Sequence, residues 1–221
     1  MQQLEIEFST WGGARDGAGR KRRPGVRASV AHRPRERHAR AHPVHVTLRA
    51  RRGLPPFREK VLGGVVREAI RAANHVSALS PVFRVLHFSV QVDHVHLVVE
   101  AADRAALARG VQGLAIRIAR RINGTLGVRG RVWEDRFHSR ELATPRAVRN
   151  AIVYVLMNAK KHGMRTRAGL DPFSSAPWFD GFVRSAPLAS SPVRSPSTWL
   201  ASNGWRRRGL VRFDERPRAP D

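Results

Sequence analysis

The strongest constraint on this chain is a change of hydrophobic period that repeats between Pro43 and Gly163. Val44, Val46 and Leu48 alternate with His45, Thr47 and Arg49, which is the period-two pattern of a half-buried strand. Past the Gly53-Leu54-Pro55-Pro56 turn the period lengthens: Val61, Leu62, Val65, Val66, Ala69 and Ile70 fall on one face of a helix over 58–74. Residues 83–91 read as a second strand, joined by a tight connection at Val92-Asp93 to a third over 94–100. Asp103 is placed to cap a long helix that runs to about Asn123. Residues 131–142 read as a fourth strand. Thr144 as N-cap and Pro145 as first residue open a last helix, expected to reach about His162 and stop at Gly163. The order β-α-β-β-α-β-α implies an α+β, ferredoxin-like fold, a four-stranded antiparallel sheet with helices on one face.

The flanks lack any period. Residues 10–42 are rich in Gly, Arg and Pro and cannot build a core, so 1–42 is expected to be a flexible basic arm. Beyond the domain at 43–165 lies an extension, 166–221; its aromatics between Asp171 and Phe182 can dock, whereas 184–221 reads as a flexible basic tail. Charge now bears on partners. The chain carries 41 Lys and Arg against 17 Asp and Glu, a formal net charge of +24. Such a protein repels itself unless a polyanion neutralises it, and nucleic acid is the expected one. The absence of cysteine excludes disulfides, thiolate metal sites and a cysteine nucleophile. No apolar run approaches the ~20 residues of a membrane span, and no signal pattern opens the chain, so a cytoplasmic, nucleoid-associated protein with no membrane partner is expected.

Two patterns carry chemistry. His94 and His96, two apart on the third strand, project to one face and can hold one divalent ion, although His-x-His also arises by chance in a chain with 10 histidines. Tyr154, the single tyrosine, lies four residues before Asn158, so both share a helix face. A tyrosine hydroxyl can attack a phosphodiester, and the Asn158 amide oxygen can complete a metal shell beside the two histidines. Read alone, Tyr154 is equally a half-buried residue of an amphipathic helix. Arg104, Arg109, Arg117, Arg120 and Arg121 form the basic face of the long helix, suited to DNA. Arg136 and Arg140 can touch phosphate or simply face solvent; Trp133 can stack on a base or pack at an edge. His45 and His87 can also face the metal side, but as ligands they rank below His94 and His96.

Three blocks, Asp93-His94-Val95-His96-Leu97, Trp133-Glu134-Asp135-Arg136-Phe137-His138 and Tyr154-Val155-Leu156-Met157-Asn158-Ala159-Lys160-Lys161-His162-Gly163, occur in an order and spacing that resemble the HUH single-tyrosine transposases. The closest resemblance is to the REP-associated tyrosine transposases of bacteria, over roughly residues 43–165. The resemblance implies that His94 and His96 ligate Mg²⁺ or Mn²⁺, with Asn158 as a third ligand. It implies that Tyr154 joins the 5′ phosphate of cut single-stranded DNA and frees a 3′ hydroxyl. It implies hairpin DNA of palindromic repeats as the partner, bound by the basic helix and the arms, and a monomer or a homodimer. One departure stands out: the family usually has Pro after the asparagine, and this chain has Ala159, which is expected to let the helix run further. Two other readings remain open from sequence, a non-catalytic DNA-binding regulator on the same fold and an RNA binder using sheet aromatics.

Overall fold

A computed structural model describes residues 38–75, 82–161, 170–184 and 187–217. Four strands, β1 (Val44–Arg49), β2 (Phe83–Val90), β3 (His94–Ala101) and β4 (His138–Glu141), form one sheet in the order β2-β3-β1-β4. Every pairing is antiparallel. Val44, Val46, Leu48, Val85, Phe88, Val95, Leu97 and Val99 make a common buried face, while Leu86 of β2 and Val98 of β3 point to the other. Helices α1 (Lys60–His75) and α2 (Arg104–Leu126) cover it with Leu62, Val66, Ile70, Leu107, Val111, Leu114 and Ile118. Asp103 caps α2 as expected, its Oδ1 accepting from the Ala106 N–H at 2.7 Å. Gly127, at φ 64, closes the helix in the left-handed region that glycine adopts without steric penalty.

The α+β, ferredoxin-like arrangement is the one anticipated, and the one-face placement holds for α1 and α2. The third helix, α3 (Pro145–Leu156), lies instead across the opposite face, against Leu86 and Val98. The reason is in its stripe: Val148, Ile152, Val155 and Leu156 are buried, and only the other face of the sheet remains to receive them. Thr144 caps α3 through Oγ1, which accepts from Ala147 N–H at 3.1 Å.

Three further expectations need correction. The fourth strand is far shorter than 131–142, because residues 131–137 leave the ladder after a single bridge between Ala50 and Trp133. Trp133 turns toward α2, where its indole N–H donates to Ala115 O at 2.9 Å and its ring meets Phe57 edge-on. The last helix does not run unbroken to 162 despite Ala159: Met157 takes φ −104, ψ 11, and a short helix α4 (Asn158–Lys161) follows. His162 and Gly163 lie outside the described residues, as does the basic arm up to residue 37.

The third correction concerns the supposed tail. Within residues 187–217, the part from Leu200 folds over α3, burying Leu200, Trp205 and Val211 beside Phe179 and Phe182, while residues 190–194 run along α1 and β2. Several polar anchors fix this segment, among them Asn74, which donates to Pro192 O and accepts from Arg194. The buried Glu100 carboxylate accepts from the N–H and hydroxyl of both Ser197 and Thr198 at 2.7–3.2 Å. On α3, Arg149 grips Glu215 through two bonds of 2.7 and 2.9 Å and also donates to the carbonyls of Gly209 and Leu210. Composition gives no hint of this, since each anchor joins residues far apart in the chain. The 170–175 segment docks too: Arg58 holds Asp171 in a bidentate pair, and residues 173–175 bond to the edge of β2.

Candidate active site

On the face of the sheet turned toward α3 the strands present polar side chains. The register places Ser89, His96, Thr47 and His138 in one row across all four strands, and His45 beside Arg140 in the next. This follows from period two: the residues between the core positions of β1 and β3 must face the other way. His94 and His96 share that face, and their Nε2 atoms stand 3.0 Å apart.

Their outer nitrogens explain why. His94 Nδ1 lies 2.7 Å from Asp93 Oδ1, and the other oxygen of Asp93 pairs with Arg49 at 3.0 Å. Partial burial pushes the Asp93 carboxyl upward, but the hydrogen bond from His94 and the charges of His94 and Arg49 outweigh it and hold its pKa below the usual value. An ionised carboxylate only accepts, so in its neutral form His94 keeps its proton on Nδ1 and turns a lone pair outward from Nε2. His96 Nδ1 sits 3.1 Å from Thr47 Oγ1 and 3.3 Å from His45 Nε2. A proton there, donated to Thr47, likewise leaves the Nε2 lone pair free. Two facing lone pairs at this separation suit a shared cation, since neighbouring ligands at ~2.1 Å from one ion lie roughly 3 Å apart.

Asn158 supplies a second sign of fit. Its side chain is fully buried, and neither its nitrogen nor its oxygen finds a hydrogen-bond partner among the described residues. A buried amide without partners is destabilising by about 1–3 kcal/mol per group, so it is retained where something else satisfies it. Among the described residues no cluster of three or more His, Asp or Glu side chains forms a metal cage. The donors that the structure sets face to face are thus the two imidazoles, and the buried, unpartnered Asn158 amide is a candidate third.

Tyr154 projects from α3 onto this set, its ring centroid 5.0 Å from that of His96 and 5.7 Å from that of His45, both edge-on. The structure thus brings Tyr154, His94 and His96 together. His45 lies behind His96, against its Nδ1, not beside Nε2 where a ligand would stand. Burial, reinforced by Arg140, lowers its pKa to about 4, so it is neutral at pH 7. His87 lies away from the cluster, against Phe179.

Arg140 is exposed on β4 opposite His45, next to the cluster. Arg136 is exposed on the connector before β4. Arg104, Arg109, Arg117, Arg120 and Arg121 are not brought to the cluster: α2 carries them on the far side of the sheet, where all but the half-exposed Arg117 are exposed. Trp133 is likewise on that side, engaged in packing. Asp93, Arg49 and Thr47 are site residues that reading the sequence passed over, and His45, weighed there only as a ligand, stands behind one instead. The polar set of β1 carried the signal, because the alternation that pairs His94 with His96 equally aligns His45, Thr47 and Arg49.

The family model described as "Transposase IS200 like" matches residues 44–154, half of the chain. No curated protein sequence matches. Among solved structures, one titled "Structure of the REP associates tyrosine transposase bound to a REP hairpin" is similar in fold, with TM-score 0.51 and 16% identity over 66% of this chain and 82% of the other.

Proposed function

The chain belongs to the IS200-like transposase family, and from that premise we propose that it is a metal-dependent single-stranded DNA endonuclease and strand transferase of the REP-associated kind, acting at or near DNA hairpins. The observation that carries the reading is the contact of Tyr154 with His96, whose Nε2 faces that of His94. The hairpin in the similar structure supports hairpin DNA as the substrate class.

In this reading the Tyr154 hydroxyl oxygen attacks the scissile phosphorus. One P–O bond forms to tyrosine as the bond to the 3′ oxygen breaks; the tyrosine proton leaves and the 3′ oxygen gains one. The 5′-phosphotyrosine preserves the ester, so rejoining needs no outside energy source. His94, His96 and the Asn158 amide would hold a Mg²⁺ or Mn²⁺ ion, which would polarise the phosphate and stabilise its developing charge. Asp93 and Thr47 orient the two imidazoles. His45 fills the space behind His96 and keeps its ring in place.

The test is incubation of the full chain with labelled single-stranded DNA carrying a hairpin, in the presence of Mn²⁺. Wild type is expected to form a covalent adduct that survives denaturation. Tyr154→Phe should slow adduct formation by at least ~10³-fold while DNA binding persists. Equal adduct from Tyr154→Phe rules out this nucleophile.

A further inference from the structure

Beside the Tyr154 cluster, a cavity of about 280 Å³ opens between β4 and the first turns of α3, lined by His45, Arg140, Leu142, Arg146, Asn150 and Ala151, among others. It adjoins the reaction centre through His45, which touches both His96 and Tyr154. Its size is near the lower end for small-ligand sites, about 300 Å³, which suits one monomer unit and excludes a duplex.

The side chains here differ from their neighbours. Arg149, on the same helix, is fully engaged by Glu215 and two carbonyls. Arg140, Arg146 and Asn150 are exposed and make no side-chain hydrogen bond or ion pair with the described residues. Arg146, Asn150 and Tyr154 recur every four residues, so they form one row along α3, with about 6 Å of rise between steps. Leu142 and Ala151 are buried beneath them and offer an apolar floor.

We propose that this groove seats a nucleotide of the single strand next to the scissile phosphate, with Arg140 and Arg146 on backbone phosphates and the Asn150 amide on the base edge. The inference rests on the transposase reading for the position of the scissile phosphate, and it adds a specificity element to that site. Arginine suits phosphate through its planar fork, and an amide presents both a donor and an acceptor to one base.

Two measurements on the full chain test it. The first is binding of fluorescein-labelled (dT)₂₀, with no cleavage needed. Arg140→Ala/Arg146→Ala should weaken binding at least ~10-fold, whereas Lys60→Ala/Arg67→Ala, an equal loss of charge on α1, should weaken it less than ~3-fold. Circular dichroism checks that each variant is folded. Equal weakening by both pairs, or none by the first, overturns the groove as a strand-binding site. The second places an abasic residue at each position around the cut in a cleaved substrate. Wild type should lose at least ~10-fold in rate at one adjoining position, and Asn150→Ala should show no added loss there. An unchanged abasic profile in Asn150→Ala overturns the base contact. If wild type cuts nothing while the first pair still binds weakly, the transposase reading falls and the groove stands.

Discussion

At the scale of single residues, Asp93 matters more than its place in a turn suggests. One oxygen fixes the tautomer of His94 and the other holds Arg49, which also pairs with Glu134. Outer partners of metal-binding histidines typically govern affinity by 10- to 100-fold. Asp93→Asn should therefore weaken Mn²⁺ binding, followed by calorimetry, by roughly 10- to 100-fold, with little change in melting temperature. Unchanged affinity would sink the orienting role. The principal residues of this site were legible in the sequence because their geometry is local: His94 and His96 share a strand face by period two. Their supports were not, because Thr47 and Arg49 reach β3 only through the register of two strands nearly fifty residues apart. Asn158 was legible as a candidate, but its complete burial without partners was not.

At the scale of elements, α1 and α2 followed from their stripes and caps, whereas β4 and the end of α3 did not. Local propensity favoured a strand through Trp133, but the fold turns its indole toward α2. The missing proline at 159 suggested a longer helix, yet the chain breaks at Met157 and buries both Asn158 and Ala159. Packing also decides how α2 tolerates change. A Cβ at Gly110 would lie 2.2 Å from the Phe83 ring, while one at Gly113 meets nothing within 4 Å. Gly113→Ala should stabilise the protein by up to about 1 kcal/mol through helix propensity. Gly110→Ala should destabilise it by about 1–3 kcal/mol through overpacking, in spite of the same propensity gain. Urea denaturation of the pair decides this, and a shift of the same sign in both would contradict the close approach of α2 to β2.

At the scale of the whole molecule, the fold separates two chemistries. The face with His94, His96 and Tyr154 is overlaid by α3 and the C-terminal segment, and the arginines of α2 lie on the other side. Net charge announced nucleic acid, but it said nothing of which side the charge would occupy. If the α2 stripe contacts phosphate, replacing Arg117, Arg120 and Arg121 by Gln should reduce the slope of log K against log salt by about one per arginine. An unchanged slope for hairpin DNA would mean that this stripe is only a solvated face.

The sheet then imposes a bending problem on any DNA that touches both sides. One edge, β2, is closed by residues 173–175, and the other is the four-residue strand β4. Duplex DNA has a persistence length of about 50 nm and does not fold around a single domain at small energetic expense. A single strand turns that corner freely. If the proposed function holds and the α2 arginines do contact phosphate, a junction between paired and unpaired DNA would fit this protein better than either form alone, with the stiff part on the α2 side and the pliable part passing the short edge of β4 toward Tyr154.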